Sequence, residues 1–422
     1  MSLQIDRIRA QFPALSLADD GVARVYLDNP AGTQVPQQVL DRMQHYMIHS
    51  NANHGGDFVT SRESDEILHE AHQAMADFLN APSADEIIFG PNMTTLTYAI
   101  SRSLAHWFAP GDEIILTKMD HDANVNPWLQ MAKDNQLTVK WLPFNRETYE
   151  FDLSFLDGLI TDKTKLLAVC YASNALGTIN DVQAIAQTAR AANVLTYIDA
   201  VQYVPHAPTD LQAIGCDFLA CSVYKFFGGH QGVLWGRAEL LEKLPAYRVR
   251  PAGDALPGRF ETGTQSHEGQ AGTLGALEYL AWIGENMAQD YHSEFASFAG
   301  RKKFLHAAMA AIKSYEKNLS LHLVKGLQSI SSVTVHGVTD PEKMGDRVPT
   351  VSFTMQNVSP AEISLALAKE NIFVWHGDYY AVEVIDHLGL TAHGGMLRVG
   401  AAHYNTSEEI DRLIETVRQL GS

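Results

Sequence analysis

Short apolar runs alternate with segments of helical period through the first half of the chain. Seven runs have the length of strands, and they lie at residues 86–89, 113–116, 138–142, 166–171, 194–198, 218–222 and 232–235. Segments such as 182–192, in which apolar residues recur every three or four positions, separate several of them. Continuous apolar strands joined through helices are typical of a mostly parallel sheet that is covered on both faces. The pattern therefore predicts an α/β fold with its ligand chemistry at the carboxyl ends of the strands.

The pattern changes after residue 264. Residues 274–283 and 295–321 have the spacing of long helices, and shorter strand-like runs follow at 333–335, 351–355, 372–375 and 396–399. The last helix is expected to begin at Thr406, because Thr406 and Glu409 have the spacing of a capping box. We interpret residues 26–290 as a large domain and 291–422 as a smaller C-terminal domain, with residues 1–25 packing against the smaller one.

Composition and charge exclude several classes of protein. The chain has 422 residues, of which 46% are hydrophobic, and its formal net charge is −18. Such a charge argues against nucleic acids and anionic membrane surfaces as partners. Its cysteines, Cys170, Cys216 and Cys221, lack CxxC or metal spacing and are interpreted as small buried residues. No stretch approaches the ~18 apolar residues of a membrane span, and the N-terminus lacks the apolar region of a signal peptide. We therefore expect a soluble, cytoplasmic protein.

Two ionisable residues follow neighbouring predicted strands. Asp199 comes directly after the run 194–198, and Lys225 lies between the run 218–222 and a Gly228-Gly229 turn. Pyridoxal phosphate needs both groups, a lysine for its aldehyde and an acid for its ring nitrogen. The alternatives are a helix N-cap for Asp199 and a solvated amine for Lys225, which fits poorly between a buried strand and a glycine turn. We predict that Lys225 binds this cofactor and later moves the Cα proton of the substrate.

The phosphate of such a cofactor needs hydroxyls and backbone N–H groups at the start of a helix. Met93 and Thr94 lie between the run 86–89 and a helical pattern at 96–107, and Ser222 and Tyr224 flank the lysine. Hydroxyl clusters of this kind are common in turns, so their joint placement at strand ends carries the prediction. These residues are the expected phosphate ligands.

Other polar residues could complete the site. Gln202 could donate to the phenolate oxygen of the cofactor, and His121, after the run 113–116, could stack on its ring, although a lone loop histidine is more often exposed. Arg398 is a cation inside an apolar run, so it needs an anion, either an internal carboxylate or the carboxylate of an amino-acid substrate. His69 and His72 are expected to face solvent, and no metal site is predicted.

In combination, these motifs resemble the class V aminotransferases of fold type I, and most closely the cysteine desulfurase and selenocysteine lyase branch. The similarity runs from about Ile5 to the end of the chain. It includes the segments 26–28, 173–177, 199–202, 222–225 and 259–264, and Arg398 with Tyr404-Asn405-Thr406.

The resemblance implies an architecture and several residue roles. It implies a large domain whose mostly parallel seven-stranded sheet is sandwiched by helices, and a smaller α+β domain. It also implies that His121 stacks on the cofactor ring, that Asp199 pairs with the ring nitrogen, and that Asn174 lies near the substrate carboxylate with Arg398. The family further implies a homodimer in which Thr264 reaches the cofactor phosphate of the partner subunit.

The chain departs from that branch in one loop. Desulfurases carry a catalytic cysteine shortly after the strand that corresponds to 372–375, and the matching residue here is Tyr380. A tyrosine cannot accept sulfur as a persulfide. An arginine common before this loop is replaced by Trp375, and Tyr379-Tyr380 indicates a remodelled substrate pocket. Asn92-Met93 replaces the usual Gly-Thr, and Tyr224 replaces the usual histidine.

Three functions remain open from the sequence. The leading hypothesis is an enzyme that labilises a bond at Cα of a small L-amino acid, by transamination or by β-elimination of a C–S bond. The second is a cysteine desulfurase or selenocysteine lyase that uses an external thiol or an unknown partner protein as sulfur acceptor. The third is a non-catalytic regulatory protein that keeps the cofactor for folding. A NAD-dependent dehydrogenase lacks support, because no G-x-G-x-x-G opens a helix after a strand.

Overall fold

The computed structural model describes residues 3–421, and its centre is a seven-stranded sheet. In spatial order the strands are Ile87–Gly90, Gly232–Gly236, Phe218–Ser222, Leu195–Asp199, Thr164–Cys170, Glu113–Thr117 and Thr138–Leu142. Gly232–Gly236 is antiparallel to both of its neighbours, and the five strands from Phe218–Ser222 to Thr138–Leu142 pair in parallel with one another. The seven runs identified in the sequence are these seven strands, which confirms the mostly parallel sheet.

Helices cover both faces of this sheet. Successive residues of a strand point to opposite faces, so one strand contributes side chains to two separate hydrophobic clusters. Ile87 and Phe89 belong to one hydrophobic cluster, while Ile88 belongs to another. The first cluster includes side chains of helices Val59–Leu79, Val182–Ala191, His267–Met287 and the first half of Gly300–Gln328. The second includes side chains of helices Met93–Leu104 and Asn126–Asn135. Both faces are therefore buried, as the continuous apolar runs predict.

A smaller antiparallel sheet follows in the C-terminal part. Its strands, in spatial order, are Val333–His336, Thr350–Met355, Met396–Gly400 and Trp375–Gly377. Helices Pro360–Lys369 and Ser407–Leu420 and the end of Gly300–Gln328 pack on it in a separate hydrophobic cluster. The predicted capping box is confirmed, because Thr406 and Glu409 exchange side-chain and backbone contacts at the start of the last helix. The domain boundaries at 25 and 290 stay a prediction.

One predicted strand in this part is divided. The run 372–375 forms Ile372–Phe373, which pairs in parallel with Val25–Tyr26, and Trp375–Gly377, which joins the four-stranded sheet. This change of pairing partner connects the N-terminal strand Val25–Tyr26 to the smaller sheet. The loop that follows Trp375–Gly377 contacts the loops at the ends of the large sheet, where Asp122 N–H donates to Tyr380 O.

Shorter elements connect these layers. They are the helices Ile5–Arg9, Gln37–His45, Leu153–Leu159, Leu211–Ile214, Ala238–Leu241 and Val382–Leu388, the π-helical turn Tyr46–Ser50, and the hairpin strands Ala18–Asp19 and Val22–Ala23. Short 3₁₀ helices lie at Pro13–Ser16, Ala84–Glu86, Ala105–Trp107, Asp122–Asn124, Val223–Lys225, Gln289–Tyr291, Pro341–Asp346 and Thr391–His393. Among helices within residues 3–421, none combines the length and apolarity that a membrane crossing requires.

The expectation for one of the two histidines in helix Val59–Leu79 is wrong. His69 is exposed, as expected, but His72 is buried and its Nε2 lies 2.7 Å from Glu261 Oε1. Glu261 belongs to a segment that is distant in sequence. The buried surface of the helix is therefore wider than the apolar face that its sequence pattern predicts.

Candidate active site

A cavity of about 260 Å³ lies at the carboxyl ends of the parallel strands. Cys170, Asp199 and Ser222 are the last residues of three adjacent strands, and all three line it. Because parallel strands end at the same edge of a sheet, residues far apart in sequence meet there. The cavity is therefore at the edge that the sequence predicts.

Most of the predicted site residues line this one cavity. They are Met93, Thr94, His121, Asn174, Asp199, Gln202, Ser222, Tyr224, Lys225, Tyr380 and Arg398. Thr264 does not; it is exposed in a separate surface depression, next to Gln265. A single chain thus assembles the predicted site except for Thr264.

The amine of Lys225 is shielded from solvent. Its side chain is buried, and Nζ donates a hydrogen bond to the carbonyl oxygen of Pro30. Burial, and after it the positive charge of Arg398, lowers the pKa of Lys225 to about 7, while the carboxylates of Asp28 and Asp199 act against the shift. Near neutral pH a large share of this amine is uncharged, which is the form that reacts with a carbonyl.

The pKa of Asp199 shifts in the direction opposite to that of Lys225. It is buried at the end of its strand, and its Oδ1 accepts the backbone N–H of Val201 at 2.9 Å. Burial raises the pKa of Asp199 to about 6, while that hydrogen bond and the charge of Lys225 act against the rise. A buried carboxylate with one backbone donor retains the capacity to pair with a cationic group in the cavity.

His121 is neutral and fixed in one tautomer. Its Nδ1 accepts the backbone N–H of Ala123 at 3.0 Å, so a proton on the ring belongs to Nε2. Burial lowers the pKa of His121 to about 4, helped by the charges of Lys225 and Arg398. The ring of Tyr380 stacks on it with centroids 5.5 Å apart, although 71% of Tyr380 is exposed.

The guanidinium of Arg398 has hydrogen-bond partners in the protein for only some of its donors. Nη1 donates to the carbonyl oxygen of Asn174 at 3.1 Å, and Nη2 lies 3.5 Å from Asp28 Oδ1. The group also lies 4.5 Å from the centroid of the Tyr379 ring. Among the residues described, Arg398 Nε and Asn174 Oδ1 are buried without a hydrogen-bond partner. The internal ion pair therefore exists, but it is long and leaves donors for another anion.

The start of helix Met93–Leu104 forms one wall of the cavity. Asn92 caps it, with Oδ1 accepting the N–H of Thr95 at 2.8 Å. The other N–H groups of a first helical turn have no partner within the helix and attract anions. Gly232 packs against this turn so closely that a Cβ there would lie 2.5 Å from Met93 N.

Some cavity residues were not predicted. Pro30 holds the lysine and Cys170 forms part of the wall, whereas Tyr379, which the sequence did indicate as a pocket residue, lies against Arg398. Cys170 is buried, as expected, and burial raises the pKa of its thiol well above the usual range. The only sequence signal for Pro30 is its place in the turn after segment 26–28, and nothing in the spacing of Cys170 indicates the cavity.

Fold and cavity together define a class. A mostly parallel seven-stranded sheet with one antiparallel strand, a smaller antiparallel sheet, and a buried lysine and carboxylate at the strand ends are the arrangement of fold type I pyridoxal-phosphate-dependent enzymes. Comparison with known proteins identifies the family. The model of the aminotransferase class-V family matches residues 25–303 and 295–413. The chain belongs to this family, and it is a cysteine desulfurase-like enzyme of it.

The relatives cover the chain from end to end. It is 32% identical to the aminotransferase-like protein FGM3 of Gibberella zeae over 99% of each chain. It is 31% identical to a cysteine desulfurase of Yersinia pestis, covering 100% of this chain and 99% of the relative. The solved structure of a cysteine desulfurase from Thermococcus onnurineus is 25% identical with a TM-score of 0.86, covering 100% of this chain and 98% of the other. The cysteine desulfurase CsdA of Escherichia coli is 26% identical with a TM-score of 0.81, covering 99% and 98%.

Proposed function

We propose that this chain binds pyridoxal phosphate through Lys225 and labilises a bond at Cα of a small L-amino acid. The observation that carries the proposal is that a buried lysine with a pKa near 7 and a buried carboxylate, Asp199, line the same cavity. The lining of the cavity fits this cofactor. Arg398 Nε, a donor, and Gln202 Oε1 and Asn174 Oδ1, both acceptors, are buried without a partner in the described chain, which is costly unless a ligand satisfies them.

Each part of the cofactor has candidate partners in the cavity. Asp199 would pair with the ring nitrogen, Gln202 would meet the ring oxygen, and His121 would stack on the ring. Met93, Thr94, Ser222 and Tyr224 would hold the phosphate through backbone N–H groups and hydroxyls. When bound, the cofactor supplies an electron sink for the electron pair left at Cα.

The remaining roles belong to residues of this chain. Arg398 would bind the carboxylate of the amino acid through its unpartnered Nε–H, and Asn174, whose backbone carbonyl accepts from Arg398 Nη1, would lie beside that carboxylate. Lys225, whose lowered pKa favours the uncharged amine, would take the proton from Cα. His121 is neutral, so it would add no positive charge beside the lysine.

Transamination and β-elimination of a C–S bond both follow from this assignment. Tyr380 supports them over desulfuration through a thiol of the chain itself, because a phenol cannot carry sulfur. Cys170, Cys216 and Cys221 are all buried. Similarity to cysteine desulfurases supports a second candidate function, a desulfurase or selenocysteine lyase in which an external thiol or a partner protein accepts the sulfur.

We also propose a homodimer in which Thr264 reaches the cofactor phosphate of the partner subunit. Thr264 is exposed and lies outside the cavity of its own chain. Phe58, Tyr247 and Val249 are exposed apolar side chains in segments that border the same depression. A reducing compartment, the cytoplasm, suits three cysteines that are all free thiols.

The test combines a spectrum with a product analysis. Wild-type protein mixed with pyridoxal phosphate should gain the visible band of a lysine-bound cofactor. Lys225→Ala should lack the band and the activity, whereas Lys118→Ala, which removes the partner of Glu383 outside the cavity, should keep both. Normal turnover by Lys225→Ala would refute the assignment.

Rapid mixing with L-cysteine then separates the reactions. Pyruvate and ammonia would indicate a C–S lyase, and a lasting amine form of the cofactor would indicate a transaminase. Alanine with released sulfur would favour the second candidate function. An unchanged spectrum would exclude cysteine as the substrate.

A further inference from the structure

The loop 378–380 has a backbone conformation that bulky side chains rarely adopt. Tyr379 and Tyr380 follow one another directly and have φ angles of 56° and 58°, in the left-handed region. A residue other than glycine is disfavoured there and keeps this conformation only where contacts from the surrounding structure hold it. Strained backbone of this kind clusters at functional sites, so the contacts of the loop indicate its role.

Hydrogen bonds fasten this loop to two segments at the carboxyl ends of the large sheet. The backbone N–H of Asp122 donates to the carbonyl oxygen of Tyr380 at 2.7 Å. Asn174 Nδ2 donates to the carbonyl oxygen of Tyr379 at 2.9 Å. Within the loop, Asp378 Oδ1 accepts the backbone N–H of Tyr380 at 2.9 Å. These contacts hold the two tyrosines in the left-handed conformation.

The side chain of Tyr379 packs into the cavity wall against Arg398. Tyr379 is only 4% exposed, and its ring centroid lies 4.5 Å from Cζ of Arg398. Its hydroxyl donates to the carbonyl oxygen of Met396, two residues earlier in the same strand as Arg398. A guanidinium within about 6 Å of an aromatic face is attracted to it, and more strongly where water is excluded. Tyr379 therefore contacts both the backbone of this strand and the charged group that the strand carries.

The guanidinium of Arg398 is held on one face and at one corner. The ring of Tyr379 covers the face, and Nη1 donates to the carbonyl oxygen of Asn174 at 3.1 Å. Nε and Nη2 share the remaining edge, where Nη2 lies 3.5 Å from Asp28 Oδ1 and Nε has no hydrogen-bond partner among the residues described. A carboxylate binds such an edge through two parallel hydrogen bonds, so the plane of the guanidinium determines whether it fits.

We propose that Tyr379 is a positioning residue whose ring fixes the plane of the Arg398 guanidinium, so that Nε and Nη2 face the carboxylate of the amino-acid substrate. The strained loop places the ring there, because Asn174 holds the carbonyl of Tyr379 while Met396 accepts its hydroxyl. The inference rests on the proposed function, since it takes an amino acid as the ligand of Arg398. It adds a residue that acts on the substrate through Arg398.

The test compares two amines that differ by one carboxylate. L-Alanine and ethylamine both react with a lysine-bound cofactor and shift its visible band, but only L-alanine has a group for Arg398. Tyr379→Leu should raise the Kd of L-alanine roughly tenfold, the scale of one lost hydrogen bond between charged groups, and leave the Kd of ethylamine unchanged. Tyr379→Phe keeps the ring and should change either Kd by less than about threefold.

A second tyrosine provides the matched control. Tyr315 also donates its hydroxyl to a backbone carbonyl, that of Asn405, but it lies outside the cavity lining. Tyr315→Leu should therefore leave the ratio of the two Kd values unchanged. In the Arg398→Ala background, Tyr379→Leu should add no further rise in the Kd of L-alanine, because Tyr379 acts only through that guanidinium.

Each outcome decides a different claim. An unchanged Kd of L-alanine in Tyr379→Leu, an equal rise for both amines, or an equal rise with and without Arg398 would overturn the positioning role and leave the cofactor assignment intact. Wild-type protein that binds L-alanine no more tightly than ethylamine would overturn the carboxylate site at Arg398, and this inference with it. Wild-type protein without any lysine-bound band would overturn the proposed function itself. If Tyr379→Leu does not fold, Tyr379→Met gives the same comparison, with the same results expected.

Discussion

Gly232→Ala should weaken cofactor binding without replacing any predicted ligand of the cofactor. Gly232 is the first residue of the antiparallel strand and pairs with Ser222 and Gly90. A Cβ at this position would lie 2.5 Å from the amide nitrogen of Met93 and against the backbone of Asn92. Met93 N and the backbone of Asn92 lie at the start of helix Met93–Leu104. We propose that this helix start holds the phosphate.

The size of the effect follows from that distance. Non-bonded heavy atoms pack at about 3.5–4.0 Å, so the helix start would have to move by roughly 1 Å. Overpacking of this kind costs about 1–3 kcal/mol of folding free energy. A displacement of about 1 Å also breaks hydrogen bonds to the phosphate, each worth about 1.5–3 kcal/mol for a charged acceptor. Loss of one such bond raises the Kd for pyridoxal phosphate about tenfold or more.

The assay is a titration of the apo-protein with pyridoxal phosphate, followed by the visible band, with thermal unfolding measured alongside. Gly229→Ala is the control, because a Cβ there would have no neighbour within 4 Å. Its Kd should equal that of the wild type. A Gly232→Ala protein with a wild-type Kd would refute the assignment of this helix start to the phosphate.

Four further predictions concern the cavity. Because the pKa of Lys225 is about 7, capture of pyridoxal phosphate by the apo-protein should accelerate from about pH 6 to about pH 8 and then level off; a rate independent of pH would contradict it. Without cofactor, between pH 7 and the ordinary lysine pKa of 10.5, the unfolded chain binds more protons at Lys225 than the folded chain does. The free energy of unfolding, compared with that of Lys225→Met, should therefore rise with pH across this window, and chemical denaturation would measure the rise. Arg398→Ala should raise KM for amino-acid substrates by about tenfold or more with a smaller change in kcat, while unchanged kinetics would make Arg398 purely structural. Tyr380→Cys should gain sulfide release from cysteine in the presence of dithiothreitol, and no gain would show that this residue does not occupy the position of the family's cysteine.

Cavity positions at strand ends could be predicted from the sequence because they depend on local pattern. A buried parallel strand reads as a continuous apolar run, and the residue that follows it must lie at the carboxyl edge of the sheet. Asp199 and Lys225 were recognisable for this reason. Arg398 was recognisable as a charge inside an apolar run, which requires an anion wherever the run packs.

Other features depend on contacts between distant segments. His72 meets Glu261 across the helix surface, and Tyr380, in the loop that follows strand Trp375–Gly377, stacks on His121. No local pattern marks such contacts, since hydrophobic periodicity records which face is buried but not what covers it.

The sequence by itself determined the order of strands and helices, the edge of the sheet that carries chemistry, and the residue types that suit one cofactor. Only the tertiary structure decided how those residues are charged and oriented. Burial lowers the pKa of Lys225, and the carbonyl oxygen of Asn174 meets Arg398 in the cavity wall. The pKa shift arises from the loss of water around groups that folding buries, and the contact arises from the packing of segments that are distant in sequence, so both exist only in the folded chain.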